Sequence, residues 1–271
     1  MGLKAEKAYK NQKFLSSSDA RTLRILAEYL EPNARFRDLN IKDTIVFYGS
    51  ARVVDGERAR REYEACKQRL ESFPTEENRR AFHRSEVQLK MSRFYDEARE
   101  LARLLTEWSQ SIENSHHRFI VCSGGGPGVM EAVNRGASDV PGGKSIGMNI
   151  SIPMEQDSND YITPELNFEF HYFFMRKFWF VYLAKALVIF PGGFGTMDEL
   201  WEVLTLIQTK KIQKKMPVVL YGREYWNNVV NFQYMVDNLV IDESDLKLFK
   251  IVDDPREAFE YLSSYLAEVF L

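Results

Sequence analysis

The chain has 271 residues, a formal net charge of −3 and a hydrophobic content of 45%. These values suit one large or two small globular domains with a packed core, and they exclude a general basic field that would drive nonspecific nucleic-acid binding. Any phosphate group that the protein binds therefore has to be held by a local site.

The first part of the chain predicts one helix, one strand and a pair of helices. Residues 19–30 carry apolar side chains at helical spacing, and Pro32 is expected to end this helix. The run TIVFYGS at 44–50 is rich in β-branched and aromatic residues, which is typical of a buried parallel strand. Residues 57–110 are dense in Arg, Glu, Lys and Ala and are interrupted at 73–75, so they predict two helices with a solvated charged face.

The rest of the chain alternates between strands and helices. Six further strand candidates are RFIVCS (118–123), KSIGMNISI (144–152), FEFHYFF (168–174), ALVIF (186–190), PVVLYG (217–222) and FKIVDD (249–254). This alternation predicts an α/β fold in which a doubly wound, mostly parallel, Rossmann-like sheet has helices on both faces. No linker-like tract or internal repeat divides the chain. We therefore expect a single domain over residues 1–271, with a helical N-terminal extension (about 1–40) and a helical insertion (about 53–92).

Cysteine usage and hydropathy predict the compartment. Cys66 and Cys122 are the only cysteines and have no metal-ligand spacing, which favours a reducing compartment without a disulfide framework. The N-terminal sequence MGLKAEKAYK has no apolar stretch, and no later apolar run approaches the roughly 18 residues that span a bilayer. We therefore expect a cytoplasmic protein.

Ligands of doubly wound sheets bind beyond the carboxyl ends of the strands. Three of the predicted strands end at that edge in small residues, namely Gly49 and Ser50, residues 123–126, and residues 191–193. We expect Gly49 and Ser50 to line a ligand site together with two glycine-rich loops.

The first glycine-rich loop lies in SGGGPGVMEAVNRGA (123–137), where a strand runs into three glycines and a helix expected to begin near Pro127. Backbone N–H groups of successive glycines approach a ligand closely, and the helix N-terminus favours phosphate. The spacing is not G-x-G-x-x-G, and no Walker lysine follows, which disfavours NAD and P-loop nucleotide binding. The alternative is that these glycines only make a tight turn.

The second loop, PGGFGTMDE (191–199), repeats this arrangement, with Thr196 expected to cap the following helix. The N–H groups of Gly195, Thr196 and Met197 are expected to cradle a phosphate. Two such loops in one sheet favour a ligand site over two unrelated turns. Thr196-x-x-Glu199 also fits a capping box, in which the Glu199 carboxylate bonds back to the backbone, so the spacing leaves the role of Glu199 open.

Arg176 stands where an aromatic strand meets the start of a helix, although residue type alone favours a surface arginine. The aromatic residues of the segment 172–182 are interpreted as core and oligomer interface rather than as a platform for a base. The four histidines have no ligand spacing and are interpreted as structural or solvent-facing.

With these residues in view, the chain resembles the LONELY GUY (LOG) family, formerly described as possible lysine decarboxylases and now as nucleoside 5′-monophosphate phosphoribohydrolases. The motifs that carry the resemblance are GSAR (49–52), SGGGPGVMEAVNRGA (123–137), GMNISIPMEQ (147–156), FFMRK (173–177) and PGGFGTMDEL (191–200). They cover most of residues 44–222 in the family's order. The chain is similar to the longer bacterial type rather than to the short plant type.

The resemblance implies roles for individual residues. It implies that Arg176 and Glu199 form the catalytic pair. The residues that it assigns to substrate binding are Gly193, Gly195 and Thr196 for the phosphate, and Gly125, Gly126 and Met130 for the rest of the nucleotide. It implies neither a cofactor nor a metal ion. The extension and the insertion depart from the family's pattern, so they leave substrate choice and assembly open.

The reaction implied by the resemblance is hydrolysis of the N-glycosidic bond of a purine nucleoside 5′-monophosphate, which releases the base and ribose 5-phosphate. The base is adenine, a cytokinin-like N6-prenylated adenine or another. The resemblance and the aromatic segment imply a homodimer or a larger homo-oligomer. We expect no nucleic-acid and no membrane partner.

Two other functions stay open at this point. One is a nucleotide-binding or phosphate-binding carrier protein with the same fold and no turnover. The other is a pyridoxal-phosphate-dependent lysine decarboxylase, which needs a Schiff-base lysine. Lys144 and Lys185 are present, but neither lies in a recognisable motif of that kind.

Overall fold

The computed structural model describes residues 5–113, 117–152 and 157–271, so the last four residues of the motif GMNISIPMEQ lie outside the described residues. The seven strands are β1 (Thr44–Tyr48), β2 (Ile120–Ser123), β3 (Ser145–Ile150), β4 (Asn167–Phe170), β5 (Ala184–Ile189), β6 (Val218–Tyr221) and β7 (Phe249–Val252). They form one sheet in the order β4-β3-β2-β1-β5-β6-β7, and every neighbouring pair is parallel. The predicted doubly wound α/β fold and its seven strands are confirmed.

The helices follow the predicted alternation with a few differences at their ends. They are α1 (Gln12–Leu15), α2 (Arg21–Asp38), α3 (Gly56–Ser72), α4 (Glu76–Ser111), α5 (Val129–Ser138), α6 (Phe173–Tyr182), α7 (Phe194–Gln208), α8 (Arg223–Val229), α9 (Phe232–Asp237) and α10 (Pro255–Phe270). Short 3-10 segments lie at Ala8–Lys10, Ser18–Ala20, Pro164–Leu166 and Glu243–Leu248. The helical pair with a break at 73–75 is confirmed as α3 and α4.

Each face of the sheet is covered by its own group of helices. Along β1, Val46 and Tyr48 belong to the core shared with α2, α6 and α7, whereas Ile45 and Phe47 belong to the core shared with α4, α5 and α10. The strand is buried along its whole length because successive side chains point to opposite, equally covered faces. This explains why its sequence is an unbroken apolar run.

The order of the strands reverses between β1 and β5. The chain builds β1 to β4 in one direction and then crosses back to place β5 on the other side of β1. Just beyond the two strands, the Ser50 N–H donates to the Pro191 carbonyl at 3.0 Å. Such a reversal leaves a crevice at the carboxyl ends of the strands, where ligands of open α/β sheets bind.

Helix α2 contradicts the prediction that Pro32 ends it, because Pro32 lies inside a helix that continues to Asp38. A proline in a helix removes the N–H that would bond the carbonyl four residues earlier, here that of Glu28. The Trp179 indole of α6 donates to that carbonyl instead, at 2.9 Å. A tertiary contact thus replaces the hydrogen bond that the proline removes.

Glu28 also explains why the strand predicted at 168–174 ends early. Its carboxylate accepts hydrogen bonds from the N–H groups of His171, at 2.8 Å, and Tyr172, at 3.2 Å. These two residues leave the sheet, and α6 begins at Phe173. We refer to the contacts of Glu28 with Trp179, His171 and Tyr172 as the α2–α6 contact.

Two further expectations concern membrane-spanning segments and the division of the chain into domains. No helix in the three described ranges combines the length and the apolar character needed to cross a membrane. Helices α3 and α4 pack against each other, with 5.3 Å between the ring centroids of Tyr63 and Phe82. The assignment of a single domain with an extension and an insertion stays a prediction.

Candidate functional site

The first glycine-rich loop connects β2 to α5 and is held in a shape that requires glycine. Gly125 has a φ of +77°, and a Cβ atom there would clash with the Asn149 amide oxygen. Asn159 Nδ2 donates to the carbonyls of Gly125, at 2.9 Å, and Gly126, at 3.1 Å, which fixes the loop from outside. Helix α5 begins at Val129 rather than near Pro127, because Gly128 occupies the N-cap position with a φ of +72°.

The second loop opens α7 one turn earlier than expected. The helix begins at Phe194 with Gly193 as its N-cap, so Thr196 is not the cap and lies within the first turn. The Met197 N–H donates to the Gly193 carbonyl at 3.0 Å and is therefore not free for a ligand. The prediction that this N–H group cradles a phosphate is wrong. Within the described chain, the N–H groups of Gly195 and Thr196 have no backbone acceptor.

The space around this helix start is open. A Cβ atom placed on Gly193 or Gly195 would have no heavy atom of the described residues within 4 Å. The Thr196 side chain instead faces Gly192, which has no room for a Cβ atom. Open space, unpaired N–H groups and the positive end of a helix dipole together suit a phosphate group.

Gly49 and Ser50 lie between the two loops and contact both of them. The Ser50 N–H donates to the Pro191 carbonyl at 3.0 Å, and the Ser50 carbonyl accepts from the Val129 N–H at 3.0 Å. A Cβ atom on Gly49 would come within 2.6 Å of Val129 Cγ1. These contacts hold the loops together, and a direct contact of either residue with a ligand stays a prediction.

Arg176 is partly buried in the crevice, so its interpretation as a surface arginine is wrong. Its Nε atom donates to the Met148 carbonyl at 2.7 Å, and its guanidinium carbon lies 4.9 Å from the centroid of the Phe180 ring. A Cβ atom on Gly124 would be 2.6 Å from an Arg176 guanidinium nitrogen and 2.5 Å from the Met130 sulfur. The first loop, Met130 and the arginine therefore line one space.

Glu199 is buried on α7 with 7% of its surface exposed. Its Oε2 atom has no hydrogen-bond partner within the described residues. Burial raises the pKa of Glu199 from 4.5 to about 7, against the lowering effect of the Arg176 and Lys177 charges. The capping box with Thr196 is not formed because α7 begins at Phe194 with Gly193 as its N-cap. A buried carboxylate with a pKa raised to about 7 therefore lies where the Arg176 and Lys177 charges act on it.

Lys177 connects the two helices that carry this pair. Its ammonium group lies 2.7 Å from the Asp198 carboxylate and 3.0 Å from the Glu202 carboxylate. Because Lys177 follows Arg176 and the two acids flank Glu199, these ion pairs fix α6 against α7 at the site. Burial lowers the pKa of Arg176, and the Glu199 charge raises it, so each member of the pair favours the charged form of the other.

Tyr48 is a site residue that sequence reasoning missed. Its hydroxyl is buried without a hydrogen-bond partner among the described residues, and its ring packs edge-on against Phe180 at 5.1 Å between centroids. Burial and the Glu199 charge raise the pKa of Tyr48. Its position in the sequence could have indicated a role in the site. Tyr48 carries a hydroxyl group and is the last residue of an apolar strand, directly before Gly49.

The aromatic segment divides between core and surface. Trp179 and Phe180 are buried, whereas Phe173, Phe174, Phe178 and Tyr182 are exposed. Tyr29 of α2 adjoins this surface, with 5.6 Å between its ring centroid and that of Phe178. On α7, the exposed large hydrophobic side chain is Phe194, at the site itself.

The comparisons with known proteins concern the second half of the chain, which carries part of this site. A family model described as "Possible lysine decarboxylase" matches residues 130–262. The match begins at Met130 and includes Arg176, the second loop and Glu199. A comparison with curated proteins gives no significant match. Within the ranges that the structure covers, no group of three or more His, Cys, Asp or Glu side chains is arranged to hold a metal ion.

Proposed function

Because the chain belongs to the LONELY GUY (LOG) family, we propose that it hydrolyses the N-glycosidic bond of a purine nucleoside 5′-monophosphate, releasing the base and ribose 5-phosphate. The observation that carries the proposal is the buried Glu199 carboxylate, whose Oε2 atom has no partner among the described residues and whose pKa the Arg176 charge lowers against the effect of burial, on the helix whose open N-terminus lies at the crevice. Adenine and N6-prenylated adenine are the bases proposed.

The start of α7, Glu199 and Arg176 have different roles in this reaction. The 5′-phosphate binds at the start of α7, and this binding energy orients the ribose at the anomeric carbon. As the bond to the base breaks, its electrons leave with the base nitrogen, which takes up a proton. A water molecule forms the new bond to the anomeric carbon and loses a proton. The ionised Glu199 stabilises the positive charge that develops on the ribose, and Arg176 orients the departing base.

A carrier protein without turnover is the first alternative. Such a protein needs the phosphate loop but gains nothing from burying a carboxylate whose Oε2 atom has no partner in the described part of the chain, because an unpaired buried charge costs stability. A strongly raised pKa beside a specific charge partner in a crevice is instead common among catalytic groups. The site therefore favours an enzyme.

A pyridoxal-phosphate lysine decarboxylase is the second alternative, and the lysines do not fit it. Lys144 directly precedes β3, and Lys185 is the second residue of β5, so both lie at the amino ends of the strands, opposite the glycine loops. Lys144 Nζ lies 3.2 Å from His117, and Lys185 Nζ lies over the Phe270 ring. Lys177 adjoins the site, but its ammonium group is paired with two carboxylates.

A nucleoside without its 5′-phosphate is expected to be a poor substrate. If the start of α7 holds the phosphate, kcat/KM for adenosine should be at least ~100-fold lower than for AMP, because remote binding energy is lost from the transition state. Release of free adenine, measured with both compounds, tests this. Comparable kcat/KM values for AMP and adenosine would contradict the proposal that the substrate is a nucleoside 5′-monophosphate.

A variant at the start of α7 tests whether the 5′-phosphate binds there. Gly193→Glu fits sterically because the space beside Gly193 is open, and its carboxylate would repel the phosphate. The preference for AMP over adenosine should shrink in this variant while the melting temperature stays near that of the wild type.

The protein is further proposed to form a homodimer through the exposed aromatic residues of α6 and the neighbouring face of α2. We expect a dimer in sedimentation velocity at micromolar concentration, because an exposed aromatic patch of this kind is typical of interfaces. Phe178→Glu should give a monomer, whereas Phe73→Glu, at an exposed phenylalanine between α3 and α4, should not. A monomeric wild type at that concentration would contradict the proposal.

A further inference from the structure

Tyr48 of β1 and Glu199 of α7 are both buried side chains with an unpaired polar atom. Tyr48 is 6% exposed and Glu199 is 7% exposed. The Tyr48 hydroxyl and the Glu199 Oε2 atom both lack a hydrogen-bond partner among the described residues. Buried polar atoms in proteins are nearly always hydrogen-bonded, so two unpaired atoms in one site call for a common explanation.

The fold places the two groups on the same side of the sheet, at its carboxyl edge. Tyr48 ends β1 beside Ile189 of β5, the strand that leads into α7, and its side chain belongs to the core shared with α6 and α7. Phe180 is in contact with Tyr48 on one side, at 5.1 Å between centroids, and its ring lies 4.9 Å from the Arg176 guanidinium carbon. Burial raises the pKa of the Tyr48 hydroxyl, the Glu199 charge raises it further, and the Arg176 charge lowers it. Tyr48 thus lies at the carboxyl end of β1, against the ring over which Arg176 lies.

We propose that Tyr48 is a positioning residue that donates a hydrogen bond to the Glu199 Oε2 atom through one bridging water molecule. A tyrosine hydroxyl can donate, whereas an ionised carboxylate only accepts, so the two groups are complementary. The bond favours the ionised form of Glu199 and fixes the direction of its carboxylate. The inference rests on the proposed function because the value of an ionised, oriented Glu199 lies in the hydrolytic step.

Tyr48 differs from the other groups that act on Glu199 in being a neutral donor. Arg176 and Lys177 act on it from α6, and Asp198 and Glu202 act on it from α7. Lys177 is held by the two acids of α7, and Arg176 Nε is held by the Met148 carbonyl. From the sheet, Cys122 of β2 faces Tyr48, but burial raises the pKa of its thiol, so it stays neutral and is a weak donor. The hydroxyl of Tyr48 is the stronger donor on this side.

The test measures the pKa of Glu199 directly, without relying on turnover. The carboxyl carbon signal of Glu199 is followed by NMR during a pH titration of protein labelled with carbon-13 at the glutamate carboxyl, and Glu199→Gln assigns it. Tyr48→Phe keeps the ring contact with Phe180 and removes only the donor. We expect it to raise the pKa of Glu199 by about one unit and to move the acidic limb of the kcat profile equally far upward.

The matched control is Tyr221→Phe. Tyr221 also lies at the end of a strand, and its hydroxyl donates to the Asp253 carbonyl at 3.2 Å, but it belongs to the core on the opposite face of the sheet. This variant should leave the pKa of Glu199 unchanged.

The outcomes are distinguishable. An unchanged or lowered pKa of Glu199 in Tyr48→Phe overturns the inference. A raised pKa in a protein that hydrolyses no nucleotide supports the coupling and overturns the proposed function. If Tyr48→Phe does not fold, the ring carbon that bears the Tyr48 hydroxyl, labelled in the wild type, should titrate together with Glu199. Loss of that response in Glu199→Gln supports the inference, and its absence from the wild type contradicts it.

Discussion

Replacing Glu199 by glutamine is expected to reduce kcat by at least ~100-fold, which is about the loss caused by removing one preorganised electrostatic group from a transition state. Glutamine has nearly the same shape but carries no negative charge for the developing positive charge on the ribose. The affinity for the nucleotide should stay near that of the wild type because the phosphate is held elsewhere. Single-turnover kinetics with AMP and a binding isotherm separate the two effects.

The pH dependence of stability provides an independent test of the raised pKa of Glu199. Burial raises the pKa of Glu199 from 4.5 to about 7, so its contribution to stability is present below pH 4.5 and is lost as the pH rises through 7. Glutamine does not titrate. The melting temperature of Glu199→Gln relative to that of the wild type should therefore be higher at pH 8 than at pH 4.5.

Glu97 supplies the matched control. It lies on α4, has a pKa that burial raises, and has a buried Oε2 atom without a partner in the described chain, but α4 covers the opposite face of the sheet. Glu97→Gln should leave kcat unchanged. Turnover by Glu199→Gln within about threefold of the wild type would instead favour the carrier protein over the enzyme.

Arg176→Ala is expected to abolish detectable turnover by two routes. It removes the group that orients the departing base, and it removes the positive charge that lowers the pKa of Glu199, so that more of the carboxylate is protonated at neutral pH. The cavity left beside Gly124 and Phe180 should also raise KM. Raising the pH restores the ionised carboxylate but not the guanidinium, so we expect only a small recovery at pH 9.

Arg99→Ala is the control for this change. Arg99 is also a partly buried arginine, but its guanidinium pairs with Asp139 at 2.6 Å, away from the crevice. This variant should keep the kcat of the wild type. Full activity of Arg176→Ala would contradict the assigned pair.

The sheet was predictable because its determinants are local. A strand buried on both faces needs an unbroken apolar run, and glycines that end such a run mark the edge where ligands bind. The two loops and the edge they share therefore followed from the residues alone. The resemblance then singled out Arg176 and Glu199, whose residue types and spacing had left a surface arginine and a capping box open.

The errors arose where distant residues decide the structure. Thr196-x-x-Glu199 satisfies the pattern of a capping box, but the Thr196 side chain occupies the space beside Gly192, and Gly193 caps the helix instead. Similarly, Pro32 does not end α2 because an indole 151 residues from Glu28 takes up the unpaired carbonyl. The sequence did not single out Tyr48, because only the assembled fold shows that its hydroxyl is buried without a partner among the described residues.

The α2–α6 contact has a consequence for the way the chain folds during synthesis. Helix α2 leaves the ribosome early, but the indole that replaces the hydrogen bond removed by Pro32 follows 151 residues after Glu28. At about 5–20 residues per second, this delay lasts roughly 8–30 s. Over that interval the proline weakens an isolated helix whose apolar residues have no partner. The nascent α2 segment thus waits for this native contact until the chain has grown 151 residues beyond Glu28, and a chaperone that covers its apolar face would act in that interval.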